Sequence, residues 1–202
     1  LAHDNDFISW FDVQTGDAGS ELHIREGGDR YPAFRMDPEP ELVEKAARVL
    51  SEAKRPLIIA GAGVVRPGAW DEVTELAHRL GAPVATSIGG KGSIAETDPY
   101  ALGVIGSNGG LPYRHAFVHS ADVIFYVGCG LGSVTTEKWT LPRNGEHRIL
   151  QLDVDPEKLG LNYDTELGIV ADAKPGVAAL LETLAPSTKV DPAELECERT
   201  LY

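Results

Sequence analysis

The sequence predicts an α/β fold built on a parallel sheet covered by helices on both faces. Three observations carry this expectation. Apolar, strand-like runs alternate with stretches of helical period. The runs are continuously apolar, as strands buried on both faces are, and do not alternate apolar with polar. Most of them end in a glycine-rich turn or an acidic residue, the punctuation of a strand-to-helix connection.

The elements follow in order. PEPELVEKAARVLSEA, from Pro38, places Leu42, Val43, Ala46, Val49 and Leu50 on one stripe with prolines at its start, which predicts an amphipathic helix. PLIIAGAG (56–63) runs apolar into a glycine turn and predicts a strand. GAWDEVTELAHRLG (68–81) sets Trp70, Val73, Leu76, Ala77 and Leu80 at helical spacing and stops at Gly81. PVATS (83–87) repeats the strand signal. GGKGSIAETDPYALGVIGSNGG then reads as a long connection, and PYRHAFVHSA (112–121) as the next helix. DVIFYVGCG (122–130), HRILQLDVDP (147–156) and ELGIVADA (166–173) are three further strands, and PGVAALLETL (175–184) closes with a helix. Residues 1–37 lack a sustained period and are expected to be an N-terminal arm or linker. Residues 38–186 are expected to form the domain, and 187–202 a C-terminal linker.

At 202 residues and 43% hydrophobic composition, the chain has material for one domain with a buried core. No apolar run approaches the roughly 20 residues a bilayer span needs, and the first ten residues carry acids where a signal peptide carries bases. The expectation is a soluble, cytoplasmic protein. A formal net charge of −13 opposes binding to nucleic acid or an anionic membrane, whose affinity rests on Lys and Arg. Cys129 and Cys197 make neither a disulfide framework nor a metal cluster.

Gly61 and Gly63 in GAGVVRPG sit where a strand end turns toward a helix. Their backbone N–H groups either approach a phosphate or simply make a tight turn. Arg66 stands where a dinucleotide fingerprint has its third glycine, which disfavours an ordinary NAD site. GGKG (89–92), GVIGSNGG (103–110) and GCGLG (128–132) are further glycine clusters. Either they border a nucleotide-sized cleft at one sheet edge, or they are tight because the domain packs against neighbours. Asp153 and Asp155 end a strand, where an acid accepts from ribose hydroxyls or caps the next helix. His78, His115, His119 and His147 are scattered and lack the acid of an H-E-x-x-H pair. With no G-x-S-x-G elbow and no partner evident for Cys129, no catalytic and no metal-binding residue is expected.

The ordered set PEPELVEKAARVLSEAKRPLIIAGAGV, GAPVATSIGGKGSI, LGVIGSNGG, ADVIFYVGCG, ILQLDVDPEKLGLN and IVADAKPGVAALLETL resembles the central domain of thiamine-diphosphate-dependent enzymes such as acetolactate synthase and oxalyl-coenzyme A decarboxylase. The resemblance covers about residues 35–185. It implies a three-layer, Rossmann-like fold related to the deoxyhypusine synthase group, with six parallel strands. It also implies partner domains that bind the pyrimidine and the diphosphate of the cofactor, and assembly as a homo-oligomer. In this family the cofactor lies between those two domains, activated by a glutamate and held through Mg²⁺ by a Gly-Asp-Gly motif with a later asparagine. Gly16-Asp17-Ala18 is the near match here, and no asparagine stands between Asn5 and Asn108. The isolated chain is therefore expected to be an inactive scaffold.

The alternative is an adenine-nucleotide module for FAD, ADP or coenzyme A. By the pattern of flavin-binding relatives, its contacts would be Arg35, Gly61, Ala62, Gly63, Ser87, Ile88, Gly106, Ser107, Asn108, Asp153, Val154, Asp172 and Ala173. Acetolactate synthases carry G-A-R-F-D-D-R where this sequence has Gly128-Cys129-Gly130-Leu131-Gly132-Ser133-Val134. The acids and arginines that touch the flavin are thus missing.

Overall fold

The computed structural model describes residues 35–109 and 111–200, so the expected arm, including Gly16-Asp17-Ala18, lies outside it apart from Arg35–Asp37. The elements are α1 (Pro40–Glu52), β1 (Pro56–Ala60), α2 (Ala62–Val65), α3 (Trp70–Leu80), β2 (Val84–Thr86), β3 (Ala101–Val104), α4 (Pro112–Ser120), β4 (Val123–Val127), β5 (Arg148–Asp153), β6 (Leu167–Val170), α5 (Ala173–Thr183) and α6 (Pro192–Thr200). Single 3₁₀ turns follow β2 at Ile88–Gly90 and β5 at Pro156–Lys158.

Six strands form one all-parallel sheet in the order β3-β2-β1-β4-β5-β6. The chain winds outward from β1 to β3, then returns past β1 to β4. Because parallel crossovers are right-handed, this reversal carries α4 to the sheet face opposite α3. On the α3 side, α1 and α3 both pack on α5. β1 and β4 meet at the reversal and are buried along their whole length, which accounts for their uninterrupted apolar composition.

Local chemistry sets the element ends. α1 begins with Pro40 in its first turn and buries Val43, Ala46, Ala47, Val49 and Leu50. α3 buries Val73, Leu76, Ala77 and Leu80, and Gly81 ends it in the left-handed conformation at φ 60°. Trp70, placed on the same stripe by the sequence, opens the helix and is half exposed. Asp122, just before β4, accepts from the backbone N–H groups of Lys54 (2.6 Å) and Arg55 (2.9 Å) and so fixes the entry to β1.

Two segments differ from the sequence expectation. The long connection after β2 contains edge strand β3, whose carbonyls at Leu102 and Val104 accept from Tyr113 Oη (3.5 Å) and Arg114 (2.9 Å). Those side chains of α4 shield the open edge. The tail after residue 186 holds α6, opened by Asp191, which accepts from the N–H of Ala193 at 2.8 Å. Val190 and Leu195 are buried there, and Arg55 pairs with Glu194 and Glu198 while its guanidinium lies 4.3 Å from the Phe117 ring centroid.

Candidate functional site

The strand order reverses between β1 and β4, and in open parallel sheets that point is where a crevice forms beyond the strand ends. Here the crevice is closed by backbone. The N–H of Gly61 donates to the carbonyl of Val127 and that of Gly63 to the carbonyl of Gly128, both at 2.9 Å. A Cβ on Gly61 would stand 2.1 Å from the Gly128 oxygen, and one on Gly63 would stand 2.7 Å from the Gly128 Cα. These glycines are required by the contact between two strand ends, and the two N–H groups at the turn are already engaged.

The same economy extends along the sheet edge. Ser87 donates its N–H to Ala60 and its hydroxyl accepts from Gly90, whose absent Cβ would stand 2.1 Å from the Ala60 oxygen. Gly106, at φ 84°, lies under the carbonyl of Val134, which also accepts from the N–H of Ser107 at 2.8 Å. Ser107 and Asn108 are exposed beside it.

The carboxylates of this edge are held by neighbours as well. Asp172 caps α5 by accepting from Lys174 N–H and pairs with Arg35, each at 3.1 Å. Arg35 also donates to the carbonyl of Pro67 at 3.0 Å, joining the loop after α2 to the end of β6. Ala173 is buried as the first residue of α5. Asp155 caps its 3₁₀ turn by accepting from Glu157 N–H, and Asp153 accepts from Asp155 N–H, both at 3.0 Å. Burial pushes the Asp153 carboxyl above its usual range, against the pull of that N–H donor.

The structure thus gathers the candidate residues into two groups. Arg35, Asp172 and Ala173 form one, and Gly61 to Gly63 with Ser87 and Ile88 form the other, with Ala62 Cβ 3.2 Å from where a Gly89 Cβ would be. Gly106 to Asn108 stand apart in the loop just after the outermost strand. Nothing in the sequence pointed to Cys129 as one of them, yet its thiol hydrogen-bonds with Ser87 and feels the charge of Asp153. Burial pushes that thiol up to about 11, so it is a packed, neutral group and not a nucleophile at neutral pH.

The loops beyond these strand ends also expose large apolar side chains. Ile88, Val134, Trp139 and Val154 are each about half exposed. Clefts of about 320 Å³ beside β3 and about 450 Å³ between α1 and α5 are lined by other residues. Among the described residues, no helix is long and apolar enough to cross a membrane.

Sheet order, glycine turns at the reversal and capping acids together define a doubly wound, Rossmann-type α/β domain whose polar edge is largely engaged internally. Residues 43–180 match the family model for the thiamine pyrophosphate enzyme, central domain. The chain is 37% identical over 136 residues to a probable acetolactate synthase large subunit of Methanococcus aeolicus, covering 67% of this chain and 22% of that protein. It is 36% identical over 151 residues to a sulfoacetaldehyde acetyltransferase of Roseovarius nubinhibens, covering 72% and 24%. Among solved structures, benzoylformate decarboxylase from Polynucleobacter necessarius superposes with a TM-score of 0.63 at 21% identity, covering 86% of this chain and 32% of that one, which shows the shared fold.

The chain belongs to the thiamine pyrophosphate enzyme family, as its central domain. It spans about a quarter of the length of the curated relatives it matches.

Proposed function

We propose that this chain is the central scaffold of a thiamine-diphosphate- and Mg²⁺-dependent enzyme that makes or breaks a carbon–carbon bond in a 2-oxo acid, and that the domain itself supplies no catalytic group. On this reading residues 38–186 are the domain, with a linking segment before it and, after it, one that carries the docked α6. Pyrimidine-binding and diphosphate-binding domains of a larger parent complete the reaction centre, within a homo-oligomer in the cytoplasm.

The observation that carries the reading is the donor set at the strand ends. A magnesium ion bound to a diphosphate takes hard oxygen ligands such as carboxylates. At this edge Asp172 is held by Arg35 and a helix N-terminus, and Asp153 and Asp155 are held by local N–H groups. The described residues do not fit the coenzyme, whose ring must be activated at one end while its diphosphate is clamped at the other.

The same accounting weighs against the adenine-nucleotide alternative, because the N–H groups of Gly61 and Gly63 donate to Val127 and Gly128 and do not form a phosphate cradle. The half-exposed Ile88, Val134, Trp139 and Val154 are better matched to covering by another protein surface. The two relatives carry different activities in their names, so the parent reaction is proposed only as a class.

Calorimetric titration of the chain with thiamine diphosphate and Mg²⁺ tests the reading. No binding is expected, and stoichiometric binding would refute it. A thermal-shift series with FAD, ADP and coenzyme A tests the alternative, since a true ligand at about 100 times its Kd adds about 2.7 kcal/mol of stability.

A further inference from the structure

His147 has an unusual environment at the opposite, N-terminal edge of the sheet, just before β5. Its side chain is 4% exposed, and its Nδ1–H donates to the carbonyl of Ala121 at 2.7 Å. Because a carbonyl only accepts, Nδ1 carries a proton, and in the neutral ring Nε2 is then the acceptor. Nε2 is itself buried and has no hydrogen-bond partner among the described residues. Its charged neighbour, Glu146 Oε2, lies at 4.0 Å, too far for a hydrogen bond.

A third donor converges on the same point. His119, in the last turn of α4, joins Glu146 and His147 so that one ligand atom from each lies within 4.8 Å of the other two. A ring nitrogen fixed by a backbone carbonyl on its far side is how metal-ligating histidines are usually held. The end of α4 adds the negative pole of its helix dipole, which favours a cation there.

We propose that His119, Glu146 and His147 form a binding site for a late first-row divalent cation, with zinc the best match. Two imidazoles and one carboxylate suit that ion, and a water completes a tetrahedron. Bonds of about 2.0–2.1 Å bring such ligands to roughly 3.3 Å from one another. His119 and Glu146 are exposed and can turn inward, Glu146 by leaving a loose 4.0 Å pairing with Arg143, while His147 is already in place. The bound ion would tie the end of α4 to the start of β5, far from the strand ends that carry the scaffold argument, so the site neither needs nor threatens that reading.

The test is titration of the purified chain with Zn²⁺ and with Co²⁺ at about pH 7.5. One equivalent should bind, raise the unfolding temperature and, with Co²⁺, give the visible absorption bands of a tetrahedral site. His119→Gln and Glu146→Gln should each weaken binding by about tenfold or more. His119 is exposed, so its replacement leaves the fold intact even where a His147 variant fails to fold. Replacing His3, His23 or His78 by Gln, or Cys197 by Ser, should leave that one-equivalent binding in place. Absence of binding by the parent chain, or unchanged affinity in His119→Gln, would overturn the proposal.

Discussion

Gly63 donates its N–H to the carbonyl of Gly128 at 2.9 Å and thereby ties the turn after β1 to the end of β4. With Gly61 bonded to Val127 beside it, the two central strands of the sheet are locked together where a nucleotide-binding relative of this fold would keep an opening.

That lock predicts a large penalty for one methyl group. In Gly61→Ala the new Cβ would stand 2.1 Å from the Gly128 oxygen and 2.6 Å from the Cys129 Cα, so backbone must move. The expected loss is about 3 kcal/mol, the upper range for overpacking. Gly132→Ala, where nothing among the described residues lies within 4 Å and no left-handed angle is required, should be neutral or stabilising by about 0.5 kcal/mol. Denaturant unfolding of the two variants checks the contrast, and equal stabilities would show that the interlock is not tight.

Asp172 predicts a separable pair of effects. It caps α5 and also meets Arg35, which is partly exposed. Loss of the cap in Asp172→Ala should cost about 1 kcal/mol. Asp172→Asn keeps an oxygen for Lys174 N–H and should cost distinctly less. Arg35→Ala should cost under about 1 kcal/mol, as expected for an ion pair with one solvated partner. If Asp172→Asn were as damaging as Asp172→Ala, the ion pair and not the cap would be the dominant interaction.

The two thiols should react on different timescales. Cys129 is buried and its thiol is pushed up to about 11, whereas Cys197 is exposed. A chromogenic disulfide reagent should titrate Cys197 promptly and reach Cys129 only as the domain opens, so its rate should rise with denaturant. Prompt reaction of both thiols would mean that Ser87 and the loop after β4 do not seal the crevice.

Much of this architecture was legible in the sequence, and the places where it was not have physical causes. α1 and α3 follow from periodicity alone, because each buries a single stripe. β3 was hidden because its four residues include Gly103 at φ 84° and its pairing with β2 shifts register, so neither length nor pattern announces a strand. α6 was masked by polar composition, since Val190 and Leu195 are its main buried anchors. At the site, the glycine spacing marked turns correctly. Only the fold shows that Gly61, Gly63 and Gly128 are one another's reason for being glycine. The meeting of Ser87, Cys129 and Asp153, and that of His119 with His147, joins elements far apart in the chain, which no local pattern encodes.

Asp153 supplies the prediction on pH. Burial raises its folded pKa above the unfolded value near 4, although the Asp155 N–H at 3.0 Å works the other way and the Asp155 charge adds to the rise. A raised carboxyl favours the folded state when protonated. Its contribution is fully present below the unfolded pKa and is lost as pH rises through the folded one. Asp153→Asn keeps an oxygen to accept from Asp155 N–H but has no charge to bury. The variant should therefore gain stability relative to the parent chain as pH climbs from about 3 toward neutrality, then hold a constant advantage. Urea unfolding of both proteins across that range reads the difference directly. Stability curves that run parallel through the acid region would mean that Asp153 is well solvated at the end of β5, and that the crevice beside Cys129 is open to water.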